Sequence, residues 1–224
     1  MSFEPKILGF LCQNGPLLSL DYAGIEMRQY PANFYPIKLP CLGALDILYP
    51  LWAFFYGADG VFISGCSMGY CQHGVGNIRG ERLVRVIKQF FKIIGFEAER
   101  ICFEKILPQE SDLLVGKIKY FNNNLIQLGH SQFLKTKGSL ERCTQCYRCM
   151  EACPICHCKR CFVKTFPNFV MGWLLHVFER CEQCRACKDC CPQGIDLYEI
   201  IQALRKDVSC IENPLPNILN LKTD

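Results

Sequence analysis

Cys143-Thr144-Gln145-Cys146-Tyr147-Arg148-Cys149-Met150-Glu151-Ala152-Cys153-Pro154 fits the spacing C-x2-C-x2-C-x3-C-P without a mismatch. The run returns as Cys181-Glu182-Gln183-Cys184-Arg185-Ala186-Cys187-Lys188-Asp189-Cys190-Cys191-Pro192, with Cys191 before the proline. Where such a run is duplicated to carry two cubane clusters, three closely spaced thiolates grip one cluster and the fourth crosses to the other. The spacing therefore predicts one [4Fe-4S] site at Cys143, Cys146, Cys149 and Cys191, and a second at Cys153, Cys181, Cys184 and Cys187. Zinc also takes C-x2-C pairs, but a tetrahedral ion needs neither the triple-plus-proline run nor its duplication. No secretory signal peptide is read at the start of the chain, and the spacings follow metal ligation, so disulfides are disfavoured.

Twelve of the eighteen cysteines lie between residues 143 and 192 of the 224-residue chain, and only five precede them. That distribution suggests two domains, at 1–128 and 143–208, with a polar, glycine-bearing linker at 129–142 and a tail at 209–224. The second is a module that metal must help to fold. The formal charge of +4 counts cysteines as neutral. With about twelve thiolates and about +2 on each of three oxidised cores the loaded protein comes to about −2, which leaves nucleic-acid binding little support. The apolar stretches near Leu42–Trp52 and Phe169–Phe178 are interrupted by Asp46, Asp59 and His176 or end at a charge, and neither is long enough for a direct membrane span. A soluble protein of a reducing cytoplasm is expected, attached to any membrane only through partners.

Between the two runs lie Cys156, Cys158 and Cys161, then an apolar helix from about Asn168 to Arg180. With Cys190 these make four further thiols, enough arithmetically for a third cubane, but the spacing does not require one. An unligated cysteine-rich loop is the favoured reading. Asp196 and Glu199 open a last helix in the manner of a capping box, running to about Lys206, and an irregular tail is expected from Ser209. Cys210 in that tail carries no signal.

Amino-terminal to the runs, strands and helices alternate. Lys6–Cys12, Tyr35–Pro40, Gly60–Cys66 and Ile101–Ile106 read as strands, the second as an edge because of its prolines. Helices are expected over residues 16–30, from about Leu45 to Phe55, from an Asn77 cap through Ile94, and from a Ser111 cap through Leu125. The pattern predicts an α/β fold with a four-stranded parallel sheet, a small flavodoxin- or Rossmann-like domain, followed by an α-rich module that binds two [4Fe-4S] clusters. Cys12, Cys41 and Cys66 stand at or just past strand carboxyl ends and Cys71 is in the loop after the third strand, where open parallel sheets bind ligands. Four converging thiols suggest a third centre. A [2Fe-2S] cluster suits ligands drawn from separate loops, while a structural zinc or unrelated buried thiols are the alternatives. His73 has no second histidine nearby for a Rieske site and reads as a surface residue, and Cys102 as a small core residue. Arg79, Arg82, Arg85, Lys88 and Lys92 make a basic helical stripe, read as a solvated face with an acidic partner subunit second. The glycine-rich loop from Gly65 to Gly76 fits neither a P-loop nor a dinucleotide fingerprint.

Phe10-Leu11-Cys12, Leu39-Pro40-Cys41, Gly57-Ala-Asp-Gly-Val-Phe-Ile-Ser-Gly-Cys66, Met68-Gly-Tyr-Cys71 and the helix from Arg79 to Phe96 make residues 6 to about 126 resemble the methyl-viologen-reducing hydrogenase delta subunit family. That resemblance implies a [2Fe-2S] cluster on Cys12, Cys41, Cys66 and Cys71. The family often has a further cysteine where Gln13-Asn14-Gly15-Pro16 stands here, and a histidine where Gln72 stands. Residues 143–197 resemble the two-cluster ferredoxin-type part of formate dehydrogenase beta subunits. The combination is similar to subunits of heterodisulfide-reductase-type and class II benzoyl-CoA reductase complexes of anaerobes. It implies an electron-transfer subunit with no catalytic residues of its own. Such a subunit would relay electrons between a dehydrogenase, hydrogenase or reductase module and a flavoprotein resembling heterodisulfide reductase A. The alternative is an oxidoreductase subunit with its own small-molecule redox site in the glycine-rich loop or the Cys156–Cys161 segment.

Overall fold

The computed structural model describes residues 3–136, 138–158 and 160–209. Cys210 and the rest of the expected tail lie outside the described residues. Four parallel strands form one sheet: β1 (Ile7–Cys12), β2 (Phe34–Leu39), β3 (Gly60–Gly65) and β4 (Ile101–Lys105), in the order β2-β1-β3-β4. β2, the strand that carries Pro36, is at an edge, as its missing backbone donor demands. The period-two alternation of β3 divides its side chains. Phe62 joins Ile7 and Leu11 under α1 (Pro16–Ile25) and α4 (Ser111–Leu128), whereas Val61 and Ile63 face α2 (Leu48–Phe55) and α3 (Gly76–Ile94) with Phe10.

Two expected caps are placed differently. α3 begins at Gly76, one residue before Asn77, whose amide instead donates to the carbonyls of Cys66 (3.0 Å) and Ser67 (3.2 Å). Ser111 is the first residue of α4 and donates from its hydroxyl to Glu26 (2.5 Å), and no side chain caps that helix. α1 also stops at Ile25, five residues short of the expected end.

The second core layer continues without a break into the carboxy-terminal part. That part comprises α5 (Arg148–Glu151), α6 (Phe169–Val177), α7 (Ala186–Asp189) and α8 (Leu197–Ser209). Asn168 caps α6 by accepting from the Met171 amide (3.4 Å), and Asp196 accepts from the Glu199 amide (2.9 Å) at the start of α8. Trp52 of α2 meets Phe166 with ring centroids 4.2 Å apart, and Arg82 of α3 pairs with Glu179 (3.2 Å). Residues 129–142, expected to be a linker, contain two buried anchors, Phe133 and Leu140. Phe133 packs among Phe54, Phe55, Phe91 and Phe96 at 4.9 to 5.8 Å. Polar neighbours concealed these anchors in the sequence.

Arg100 is fully buried, which no local pattern in the sequence signals. Its guanidinium donates to the carbonyls of Asp59 (3.1 Å), Leu128 (3.2 Å), Gly129 (2.9 Å) and His130 (3.4 Å) and pairs with Glu97 at 3.2 Å. It thereby closes the carboxyl end of α4, where helix carbonyls lack partners. Among the described residues no helix is long and apolar enough to cross a membrane.

Candidate iron-sulfur sites

In this sheet the chain leaves β1 in one direction to β2 and later returns to the other side of β1 for β3, so the switch point lies between β1 and β3. Cys12 ends β1 and Cys66 follows β3, and their sulfurs lie 3.5 Å apart at that point. Cys41, just past β2, accepts from the Gly43 amide at 3.4 Å and interacts with Cys71. The four thiols thus meet as two adjoining pairs, Cys12 with Cys66 and Cys41 with Cys71. Gly76 closes the space between the second pair: a Cβ there would stand 2.1 Å from the Cys41 sulfur and 3.2 Å from that of Cys71.

Burial, reinforced by Cys12, pushes the Cys66 thiol up to about 12, and burial also raises Cys41. Cys71 goes the other way. Burial acts upward on it, but the backbone amides of Asn77, His73 and Gly76 point at its sulfur and, with Cys41, hold its pKa below the ordinary thiol value. The amino end of α3 therefore supplies the positive dipole that a thiolate needs. His73 is exposed, as the sequence suggested.

The two cysteine runs have the same backbone. Gln145 and Tyr147 in the first run and Gln183 and Arg185 in the second all take positive φ, at 54°, 64°, 60° and 63°. Gln145 and Gln183 each donate a backbone N–H to the first sulfur of their run at 3.4 Å. Four non-glycine residues in the left-handed region cost about 1–2 kcal/mol each, a strain that persists only where the surroundings impose it. The crossed pattern is also present. One hollow is lined by Cys143, Cys146, Cys149 and Cys191, and another by Cys153, Cys181, Cys184 and Cys187. Burial pushes Cys149 and Cys153 up to about 12 and Cys187 up to about 11. Cys146 and Cys184 are the exposed members of their sets.

The remaining cysteines divide. Cys156, Cys158 and Cys161 line a hollow of their own, whereas Cys190 donates to the Cys187 carbonyl (3.6 Å) and has Cys191 and Cys146 as its sulfur neighbours. Cys102 is half-buried in β4 against the core under α1 and α4. No disulfide joins any of the described cysteines. Among the described residues no three His, Cys, Asp or Glu side chains gather around one point as ligands of a single metal ion. The thiols line hollows or form adjoining pairs.

Residues 7–129 match the family described as methyl-viologen-reducing hydrogenase, delta subunit. The chain belongs to that family. Its relatives include the iron-sulfur subunit of the F420-non-reducing hydrogenase vhu of Methanocaldococcus jannaschii, 34% identical over 126 residues, which span 56% of this chain and 94% of the relative. The corresponding vhu iron-sulfur subunit of Methanococcus maripaludis is 39% identical over the same shares. The delta-like part is also similar to the heterodisulfide reductase A component of the ferredoxin:CoB-CoM enzyme of Methanosarcina mazei, 29% identical over 125 residues that make up 16% of that protein. The two cysteine runs lie beyond the family match.

Proposed function

We propose that this chain is an iron-sulfur electron-relay subunit of a multi-subunit redox complex of anaerobic metabolism. It carries a [2Fe-2S] cluster on Cys12, Cys41, Cys66 and Cys71, a [4Fe-4S] cluster on Cys143, Cys146, Cys149 and Cys191, and a second on Cys153, Cys181, Cys184 and Cys187. The observation that carries this reading is the crossed lining of the two hollows, three thiols from one run and the pre-proline thiol of the other in each. For the amino-terminal centre the support is the pairing of the thiols, since each iron of a two-iron core takes two protein ligands.

The clusters, when bound, supply one-electron redox chemistry. The protein's own residues do the rest. Amides of Gly43, Gln145 and Gln183 donate to ligand sulfurs, which stabilises the more negative reduced state. Core packing keeps water from Cys12, Cys66, Cys149 and Cys187, while Cys146 and Cys184 leave an edge of each cubane site open to a partner.

The partners in this reading are a hydrogenase, dehydrogenase or reductase module on one side and a flavoprotein resembling heterodisulfide reductase A on the other. Similarity of one domain both to separate hydrogenase subunits and to a stretch of a heterodisulfide reductase component supports a place at that junction. The test is anaerobic purification with iron and acid-labile sulfide analysis and EPR during stepwise reduction, followed by mixing the reduced chain with such a flavoprotein. At least about ten irons, signals of both cluster types and reduction of the flavin are expected. A chain that loads zinc in place of iron, or that holds its electrons in the presence of the flavoprotein, would refute the relay.

A further inference from the structure

We propose that Cys156, Cys158 and Cys161 hold a third cubane cluster, with His176 as the fourth donor, in the hollow between α6 and the loop that joins the two runs. The three cysteines and His176 line one space, as each crossed set lines its own. Three thiols and one imidazole facing one space are the donor number and type that a cubane takes. Trp173, only 1% exposed, donates its indole N–H to the Cys156 sulfur at 3.3 Å. A buried indole requires an acceptor, and a ligating thiolate is a far better one than a thiol. Cys190 is unavailable as the fourth ligand, because it stands beside the first set and bonds to the Cys187 carbonyl. His176 has its ring edge against Phe162, 5.5 Å between centroids, and Arg180 in the same lining offsets the charge of three thiolates.

The position gives such a cluster a role. Trp173 and Val177 line this hollow and also the one of the second crossed set, and Cys156 directly adjoins Cys153 of that set. On the other side His176 and Arg180 also line a cleft whose far wall includes Leu42 and Gly43, next to Cys41. A cluster here would adjoin the second crossed set and face the amino-terminal centre across that cleft. Assembly forms three iron–sulfur bonds to protein and releases three thiol protons to solvent, while the His176 imidazole contributes a lone pair, with two ferrous ions, two ferric ions and four sulfides drawn from solution.

The experiment is anaerobic reconstitution of the full chain with iron and sulfide. Wild type, Cys158→Ser at an exposed position, and the triple variant Cys156→Ser, Cys158→Ser, Cys161→Ser are compared by iron count and EPR. Wild type is expected near fourteen irons and the triple variant near ten. His176→Ala should keep the extra irons but change their EPR signal, and His176→Cys should restore a rhombic all-thiolate signal. A wild type at ten irons, or a triple variant with the wild-type count, overturns the third cluster and leaves the relay standing. One zinc without sulfide lost on triple substitution overturns it as well. A wild type well below ten, with the triple variant lower still by four, would count against the other assignments and for this one.

Discussion

Replacing Gly76 by alanine should strip the proposed amino-terminal centre and leave the proposed cubanes in place. The added methyl would sit 2.1 Å from the Cys41 sulfur, so about 1.3 Å of movement is needed to reach the ~3.4 Å of ordinary contact. The other neighbours give little: the Cys71 sulfur and the Gly43 backbone nitrogen are both at 3.2 Å. Metal sites tolerate about 0.2 Å of error in ligand distance, so a displacement several times larger removes Cys41 from a position it shares with Cys71. Overpacking of this kind costs about 1–3 kcal/mol, equivalent to roughly 5- to 150-fold in loading affinity. The assay is reconstitution at limiting iron, read by sulfide content and by the EPR signal of the proposed [2Fe-2S] centre. Gly116→Ala is the control. That glycine is on an exposed position of α4 with open space where a Cβ would go, and its replacement should be neutral or stabilise by up to about 1 kcal/mol. A Gly76→Ala protein with the full iron complement and an unchanged signal would refute the claim that this glycine shapes the site.

Cys143→Ser and Cys191→Ser should each cost the same four irons and the double variant no more, with Cys153→Ser and Cys181→Ser paired in the same way. Loss of different signals from Cys143→Ser and Cys191→Ser would break the crossed assignment. Arg100→Met should destabilise the fold by about 1.5–3 kcal/mol in chemical denaturation, because four carbonyls and Glu97 lose their donor together; a change under 1 kcal/mol would show that the carbonyls find other partners. The hydrogen bond from Lys105, against an opposing effect of burial and with help from Arg85, holds the Glu81 carboxyl below the usual carboxylate range. A depressed carboxylate contributes stability above its unfolded pKa and loses it as pH falls through the folded one. Glu81→Gln should therefore cost less than about 1 kcal/mol at neutral pH and nothing at a pH below that range, read by urea titration at both.

The amino-acid sequence determined whatever depends on near neighbours. The C-x2-C-x2-C spacing is a local property of the chain, so the two triples, and the thiol of the other run that shares each hollow, were legible from the spacing alone. The alternation of apolar runs showed the strands and their parallel sheet, and the prolines of β2 marked an edge. Strand ends bearing Cys12, Cys41 and Cys66 were visible too, because a strand's carboxyl end is set by where its pattern stops. Other features depend on distant parts of the chain meeting. The tertiary structure alone sorted the four amino-terminal thiols into two pairs, since which sulfurs adjoin depends on strand order. It alone buried Arg100 against the carbonyls that end α4 and turned the polar stretch at 129–142 into a packed segment, because one phenylalanine meeting four others outweighs its hydrophilic flanks. It also separated Cys190 from Cys156, Cys158 and Cys161 and set His176 and Trp173 beside those three. Sequence counts thiols along a line, and only folding decides which of them share a space.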